Sequence, residues 1–361
     1  MPIPLLLHGK HGTPPATYQP WGPWIVPWRF QAFDIEYEAL RTRVGLLDYS
    51  TQALIEVRAA DRVDFLHRLL TNDLTRLAPG NGCQAALLNP SGKLMAPLLV
   101  LAQEEALWLM CEMPLATTVM QQLEQYHFRE QVTFTNHERA YAVLALQGPR
   151  TIAVLTELFG RVLSLPRPGD HLTIPFQQIP VWVIRHGLAG AIGALCLVKA
   201  EYAEPLWESW QRLGPSAHLT RVGWDALNVA RIEAGIPWWG VDMDESNLLP
   251  ETGWDTVMVS DTKGCYIGQE IIARLQTYGS VSKRLVGLRL TSPHVPERAD
   301  AIVRGDDPLG HVTSACYSPT LRCPIALGYV KRPFYEPSTT VEILRGTERL
   351  PATIVSRPFS L

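Results

Sequence analysis

The sequence predicts an α+β protein with two related sheets and a small C-terminal β-barrel. The chain has 361 residues, which is too long for one ordinary hydrophobic core, so we expect two or three packed units. Segments with strand patterning alternate with segments of helical periodicity as far as about residue 281. After that point the helical patterns end, and short strands separated by Gly and Pro turns are typical of a small barrel.

The first 28 residues are rich in proline and tryptophan, with Trp21, Trp24 and Trp28 interleaved among the prolines. Proline at this density is expected to prevent regular structure, whereas the tryptophan side chains need to be covered. We therefore predict that residues 1–28 form an arm packed along the body of the protein. Base stacking by the tryptophans is a less favoured alternative, because no basic cluster accompanies them.

Residues 29–281 contain the elements of the two predicted sheets. Strands are predicted at 53–57, 83–88, 94–101, 108–111, 141–146 and 181–184. Helices are predicted at 60–70, from 114 to about 126, after Pro149, at 205–213 and at 221–234. The recurrence of strand, helix, strand and strand indicates two related α+β sheets, followed by a barrel domain over 282–361.

The overall composition is that of a soluble globular protein. Hydrophobic residues make up 47% and charged residues 19%, with 35 acidic against 32 basic side chains. This balance gives no electrostatic argument for a nucleic-acid partner. No apolar run approaches the ~20 residues of a membrane helix, and the first residues lack the pattern of a secretory signal. The six cysteines form no Cys-x-x-Cys pair or zinc-like spacing, so we expect reduced thiols in a cytoplasmic protein.

The most informative segment is Lys263–Glu270, which reads Lys-Gly-Cys-Tyr-Ile-Gly-Gln-Glu. Gly264 and Gly268 are expected to permit a backbone geometry or a close approach that a Cβ atom would block. A helix is predicted over residues 269–275. Cys265 therefore lies just before a helix and two residues after Lys263, where positive charge and backbone N–H groups favour a thiolate. The alternative is a small buried residue without chemistry.

This octapeptide resembles the signature of YgfZ-type proteins, a branch of the glycine-cleavage T-protein (aminomethyltransferase) superfamily, and matches it at all seven specified positions. The similarity continues in order over roughly residues 30–335, including segments 41–48, 65–73, 145–149, 231–237, 310–314 and 325–330. Such collinear agreement makes a chance match improbable. The resemblance implies two ferredoxin-like α+β domains and a barrel around a central hole that binds tetrahydrofolate.

The chain also departs from the T-protein pattern. T-proteins use an aspartate to assist the transfer of a one-carbon unit from an amine. The matching segment, Gly92–Pro97, has Ala96 and Pro97 there and offers no carboxylate to orient or deprotonate the attacking nitrogen. Two family glutamates, one of which pairs with the pterin ring, are replaced by Ala191 and Leu195. This loss should weaken folate recognition, by about 1–3 kcal/mol per charge-assisted hydrogen bond.

The resemblance places several other side chains at the implied folate site. The candidates are Arg185, Glu233, Trp239, Tyr266 and Arg274. Glu233 is the best surviving carboxylate for the pterin, and Arg274 could meet the glutamate tail of the folate. The alternatives are a helix-end glutamate at 233, a surface ion pair between Glu270 and Arg274, and simple packing of the two aromatic residues.

Two classes of function follow from the resemblance. In the first, a YgfZ-type protein supports the assembly or repair of iron–sulfur enzymes, which would be its partners, and thereby indirectly tRNA modification. Cys265 would act as a transient thiolate whose pKa Lys263 lowers, with no stable cluster of its own. In the second, the protein is a folate-dependent aminomethyltransferase or a related demethylase. A structural interaction protein with a vestigial hole is the third. The missing carboxylate at Ala96 and Pro97, together with the cysteine motif, favours the first.

Overall fold

The computed structural model describes residues 2–190, 192–217 and 219–359, and the chain forms two compact units. The first unit comprises Met1–Leu87, Ala96–Asn228 and Met258–Tyr266. The second comprises Leu88–Met95, Val229–Val257 and Ile267–Leu361. The predicted division into 1–28, 29–281 and 282–361 groups the chain differently and stays a prediction.

The N-terminal segment forms a small sheet, so the prediction that its prolines prevent regular structure is wrong. Its strands, in the order β1-β3-β2, are β1 (Ile3–Pro4), β2 (Thr17–Trp21) and β3 (Trp24–Arg29). Pro20 lies on an edge strand, and Pro27 lies where β3 is paired with β2 alone, because β1 pairs only with Trp24 and Ile25. A proline that lacks one neighbouring strand forfeits no ladder hydrogen bond on that side.

Two larger sheets hold the remaining strands of the first unit. The five-stranded sheet has the order β6-β7-β8-β5-β9, and the six-stranded sheet has the order β11-β12-β13-β10-β4-β14. These strands are β4 (Val44–Asp48), β5 (Gln52–Arg58), β6 (Gly82–Leu88), β7 (Leu94–Ala102), β8 (Ala106–Glu112), β9 (Thr133–Asn136), β10 (Tyr141–Gln147), β11 (His171–Phe176), β12 (Ile179–Arg185), β13 (Gly193–Lys199) and β14 (Leu219–Arg221). Every strand predicted for this region is confirmed.

The helices largely agree with the apolar periodicity of the sequence. They are α1 (Phe33–Thr42), α2 (Arg62–Leu69), α3 (Ala116–Gln125), α4 (Thr151–Phe159), α5 (Ala200–Ala217), α6 (Trp224–Glu233), α7 (Leu249–Thr252), α8 (Asp255–Met258) and α9 (Gln269–Tyr278). The predicted start of α6 at residue 221 is wrong, because Arg221 pairs with Leu46 in the parallel β14–β4 ladder. No helix within the described residues is long and apolar enough to cross a membrane.

The C-terminal part of the second unit is a closed barrel, as predicted. Its strands are β15 (Lys283–Leu290), β16 (Ala301–Arg304), β17 (Asp307–Ser318), β18 (Cys323–Lys331), β19 (Thr340–Arg345) and β20 (Glu348–Val355). The order β15-β18-β17-β16-β19-β20 closes on itself and leaves no edge strand. Buried aliphatic side chains such as Leu288, Ile302, Val312 and Ile343 fill the interior. The predicted α+β class with two sheets and a C-terminal barrel is confirmed.

A buried ion pair fixes the chain to the barrel in the second unit. The guanidinium of Arg231 and the carboxylate of Asp242 are 1% and 0% exposed and bond each other. The hydroxyls of Thr313 and Ser314 each donate to Asp242 Oδ1 at 2.6 Å, and Arg231 Nη2 donates to Ser314 Oγ at 2.7 Å. A buried pair with its remaining hydrogen bonds filled is costly to break, because either partner alone is an uncompensated charge.

Removing one partner of this pair should be strongly destabilising. Asp242→Ala is expected to lower the free energy of unfolding by about 3–5 kcal/mol, since it leaves the Arg231 charge buried without its partner. Chemical denaturation of the full chain measures the difference. Glu245→Ala, at an exposed carboxylate in the same loop, is the matched control and should change stability by less than about 0.5 kcal/mol. Equal effects of the two substitutions would contradict the assignment.

Candidate functional site

Lys263 is held by the end of helix α2. Its ammonium group donates to the carbonyl oxygens of His67 and Leu70 at 2.5 Å each and of Asn72 at 3.0 Å. The last carbonyls of a helix have no partner within the helix and carry the negative end of its dipole. The Lys263 ammonium supplies hydrogen bonds to these carbonyls and places a positive charge at the negative end of the dipole. Lys263 thereby fastens the segment Met258–Tyr266 to α2 within the first unit.

The surroundings of Lys263 perturb several titrations. Burial lowers the pKa of Lys263 to about 8, while Asp73 acts in the opposite direction. Burial, followed by the charge of Lys263, lowers the pKa of His67 below its usual value. Burial raises the pKa of Cys83 on β6 to about 12, so this thiol stays protonated at neutral pH. Lys263 is therefore a buried cation set among backbone carbonyls.

Cys265 differs from the other cysteines in its exposure. All six lie within the described residues, and Cys265 alone is exposed. Burial raises the pKa of the Cys111 thiol to about 12 and that of Cys196 further still, so neither is a thiolate at neutral pH. The hydrogen bonds of the Lys263 ammonium run to the end of α2, and a joint role of Lys263 and Cys265 stays a prediction.

Tyr266 packs against Lys263 and is 8% exposed. The ammonium lies 5.2 Å from the centroid of the Tyr266 ring, a cation–π arrangement that helps a buried charge. Burial also raises the pKa of the Tyr266 phenol to about 12. The structure thus brings two of the predicted site residues together, Lys263 and Tyr266, and gives both a packing role.

The two glycines of the octapeptide have different reasons to be glycine. Gly268 has φ +81°, and a Cβ atom there would lie 2.7 Å from the carbonyl oxygen of Asn89. The predicted need for glycine is confirmed at this position. Gly264 has no left-handed φ, and a Cβ atom there would meet nothing within 4 Å. The expectation of a blocked Cβ is wrong for Gly264.

Arg185 and Glu233, predicted to bind folate, hold the protein's own groups. Arg185 lies in the first unit, and its Nη1 donates to the carbonyl oxygens of Leu165 at 2.8 Å and Pro166 at 2.6 Å. Glu233 lies in the second unit, is 6% exposed and accepts a hydrogen bond from the Ser318 hydroxyl. Any ligand role of these two side chains stays a prediction.

Trp239 and Arg274 belong to the second unit as well. Trp239 is half-buried and pairs with Met243 in an isolated β-bridge. Arg274 is exposed on α9, where the described residues show no ion pair with Glu270. A contact of either side chain with folate stays a prediction.

The positions that lack the family carboxylates lie in the sheets of the first unit. Ala96 is fully buried in β7, and Pro97 beside it is half-buried. Leu195 is fully buried in β13, opposite Ala145 and Ile184 of the neighbouring strands. Ala191 lies outside the described residues. Apolar side chains therefore occupy the three described positions.

Glu112 is a carboxylate that the sequence reasoning missed. It ends β8 opposite Gln52 of β5, whose Nε2 donates to Glu112 Oε1 at 2.6 Å. Burial raises the pKa of Glu112 to about 7, although hydrogen bonds from Gln52, Thr51 and Tyr49 act to lower it. Such a carboxyl can accept or give a proton near neutral pH. The signal in the sequence is one acid that closes the apolar run 106–111.

Comparisons with known proteins cover almost the whole chain. Residues 7–262 match the GCVT N-terminal domain, and residues 283–360 match the glycine cleavage T-protein C-terminal barrel domain. An aminomethyltransferase of Synechococcus sp. (strain CC9311) is 30% identical over 346 residues, or 93% of this chain and 92% of that protein. An aminomethyltransferase of Parasynechococcus marenigrum (strain WH8102) is 31% identical over 350 residues, or 94% of each chain.

A solved structure has the same fold. The crystal structure of glycine cleavage system aminomethyltransferase T from Bartonella henselae superposes with a TM-score of 0.88 and 23% sequence identity. The match covers 100% of this chain and 98% of that one. At this identity the likeness concerns the fold alone.

Replacing Lys263 should destabilise the first unit. Lys263→Met removes the donor of three backbone carbonyls and should lower the free energy of unfolding by about 2–4 kcal/mol. Chemical denaturation at neutral pH measures the change. Lys199→Met, at an exposed lysine in the same unit, is the control and should leave stability within about 0.5 kcal/mol. A Lys263 variant as stable as the control would rule out the proposed fastening role.

The stability of the protein should depend on pH through Glu112. Its pKa is about 7 when folded against 4.5 ordinarily, so the folded protein holds a proton in this interval that the unfolded chain has lost. Stability due to Glu112 therefore falls as pH rises across the interval. The free energy of unfolding of Glu112→Gln, relative to that of wild type, should therefore rise by about 1–3 kcal/mol as the pH goes from about 4.5 to about 7. The expected rise is smaller than the full pKa shift implies, because the side chain is partly exposed. Denaturation curves at both pH values measure this gain, and Glu105→Gln, at an exposed carboxylate, should show none.

Proposed function

Because the chain belongs to the glycine-cleavage T-protein family, we propose that it binds tetrahydrofolate and transfers a one-carbon unit to it from an amine. The observation that supports this proposal is the similarity to aminomethyltransferases over 93–94% of the chain, which spans both matched domains. A shared fold does not fix a reaction, so the side chains of the site must also suit it.

The reaction requires acceptors for the N–H groups of a reduced pterin and a group that can move a proton. Pro97 and Leu195 provide neither. Glu112 supplies both, because its half-buried carboxylate accepts hydrogen bonds and can move a proton. The amide oxygen of Gln52 is a second acceptor beside it. These two side chains fit a ligand with several N–H groups, and they are the ones we assign to hold it.

Anaerobic calorimetric titration with tetrahydrofolate tests the binding step. We expect a dissociation constant in the micromolar range, since Glu112 compensates in part for the glutamate absent at Leu195. Leu195→Glu would bury a carboxylate among apolar neighbours, so the informative variant is Glu112→Ala. This variant should bind at least about tenfold more weakly than Glu105→Ala, its exposed control. No measurable binding by wild-type protein would contradict the proposal.

A second candidate function is favoured by the exposure of Cys265 in an intact Lys263–Glu270 octapeptide. In this alternative the protein binds folate and supports iron–sulfur enzymes through a transient bond to the Cys265 thiolate, with tRNA modification as an indirect consequence. An exposed thiol can reach a partner protein, whereas the buried Cys111, Cys196 and Cys316 cannot. The partners would be the client iron–sulfur enzymes.

Rescue of iron–sulfur enzyme activity in a strain that lacks its own such protein separates the two functions. If the second function holds, Cys265→Ala rescues at most about a tenth as well as wild type, because the reactive thiol is gone. Cys323→Ala, at a half-buried cysteine, is the control and should rescue fully. Equal rescue by both variants would remove the thiol from the mechanism. Neither substitution should alter one-carbon transfer in the purified protein.

A further inference from the structure

A polar cavity lies against the outer face of the barrel, wholly within the second unit. Its volume is about 260 Å³. The loop 241–247 forms one wall, and strands β15, β17 and β18 contribute to the other. We propose that this cavity binds the phosphate group of a small phosphorylated ligand through Lys283, Arg298 and Tyr329. The site is separate from Glu112, and the proposal does not depend on one-carbon transfer.

The register of the barrel places three of the lining side chains on one face. Tyr329 of β18 lies opposite His311 of β17 and opposite Leu285 of β15. Lys283 precedes Leu285 by two residues, so the two side chains project from the same face of β15. Val330, the next residue along β18, belongs to the barrel interior. Lys283, His311 and Tyr329 therefore share the outer face of the barrel.

The hydroxyl of Tyr329 is a buried donor that has no hydrogen-bond partner among the described residues. The residue lines the cavity and is 4% exposed. Burial raises the pKa of the phenol above its usual value, so the O–H group remains a donor at neutral pH. A buried hydroxyl without a partner costs free energy that a bound acceptor would recover. Tyr329 therefore favours a ligand that carries an acceptor oxygen.

The ammonium of Lys283 lies beside the same ring, 4.9 Å from the centroid of Tyr329. Its ion pair with Glu251 Oε2 spans 3.9 Å, which is beyond hydrogen-bonding distance. That oxygen accepts hydrogen bonds from the backbone N–H of Leu248 at 3.1 Å and from the side-chain amide of Asn247 at 3.5 Å. The N–H donors of Lys283 are therefore available to a ligand.

Arg298 supplies a second positive charge at the rim of the cavity. Its Nη2 donates to the carbonyl oxygen of Gly240 at 3.0 Å, which holds the exposed side chain against the start of the loop. A guanidinium has five N–H donors, so Arg298 keeps others for a ligand. Burial, followed by the charges of Lys283 and Arg298, lowers the pKa of His311, and the opposite effect of Asp244 is smaller. The two cations therefore dominate the local electrostatics at His311.

Two acidic side chains also line the cavity, and neither cancels this positive charge. Asp242 is paired with the buried guanidinium of Arg231. Asp244 is exposed to solvent, and its Oδ1 accepts a hydrogen bond from the backbone N–H of Ser246 at 2.8 Å. With Asp242 neutralised, the carboxylate of Asp244 stands against the two cations. Asp244→Asn should therefore tighten the binding of an anion.

The donor set favours a phosphate over a carboxylate. An ammonium, a guanidinium and a phenol O–H lie in separate parts of the lining. A phosphate monoester has three terminal oxygens to accept from them, whereas a carboxylate has two. Both lysine and arginine are common phosphate ligands. The volume lies just below the about 300–1,000 Å³ of pockets for drug-sized molecules, so a small phosphate ester matches the cavity better than a nucleotide does.

Calorimetric titration of the full chain in phosphate-free buffer tests the proposal, with inorganic phosphate and glycerol 3-phosphate as probes. We expect the wild type to bind glycerol 3-phosphate with a Kd below about 1 mM. Lys283→Met and Tyr329→Phe should each weaken binding by at least about tenfold, because each removes a hydrogen bond to a charged group. Lys331→Met is the matched control, since Lys331 is exposed and lies opposite Lys283 in the ladder but does not line the cavity. It should change the affinity by less than about threefold.

The stability of Tyr329→Phe gives a second readout. Because the hydroxyl has no partner among the described residues, Tyr329→Phe should be at least as stable as wild type in phosphate-free buffer. Glycerol 3-phosphate should then raise the thermal unfolding midpoint of wild type more than that of the variant. A variant markedly less stable without phosphate would show that the hydroxyl is bonded within the protein or to a fixed water, and would overturn the proposal.

Three results of the titration would also overturn it. The first is no measurable binding of either phosphate probe by the folded wild type. The second is binding that Lys283→Met and Lys331→Met weaken equally and Tyr329→Phe leaves unchanged, which would indicate general attraction of anions to a basic surface. The third is tighter binding of glutarate than of both phosphate probes, which would assign the cavity to a carboxylate ligand. None of these results bears on folate binding or one-carbon transfer.

Discussion

The buried ammonium of Lys263 is the interaction on which the placement of the segment Met258–Tyr266 depends. Residues Met258–Tyr266 return to the first unit between two stretches of chain that belong to the second. The hydrogen bonds to the end of α2 hold this short return in place, helped by that of Thr71 Oγ1 to the carbonyl of Met258 at 2.6 Å. A charged donor costs desolvation, which lowers the pKa of Lys263, but it satisfies three carbonyls that a neutral side chain would leave unpaired.

Much of the fold can be predicted from the sequence because apolar periodicity and turn residues are local signals. Strands such as β5 and β8 and helices such as α2 agree with their predicted bounds to within two residues. The N-terminal sheet escapes prediction because a proline is harmless where a strand lacks one neighbour, and the neighbour cannot be known from local sequence. The strand ending at Arg221 escapes it for a similar reason, since its partner β4 is far away in the chain.

The candidate site is harder to predict, because it depends on which side chains meet. The cysteine motif is recognisable from its letters, and the exposure of Cys265 agrees with a chemical role. The hydrogen-bond partners of Arg185, Glu233 and Lys263 are backbone carbonyls or a distant hydroxyl, which no spacing rule could indicate. Glu112 is distinguished by its burial and by its pairing with Gln52 on β5, which local sequence does not reveal.

The geometry of the octapeptide also determines which of its residues packing requires, and so what their conservation in related proteins would mean. Gly268 is required by the approach of the Asn89 carbonyl, and Lys263 and Tyr266 are required by packing, so any chain with this fold is under pressure to keep them. Cys265 is exposed and Gly264 has open space, so packing places no such demand on either. Among related sequences, conservation of Gly268, Lys263 and Tyr266 would therefore be explained by the fold, whereas conservation of Cys265 would indicate a chemical role.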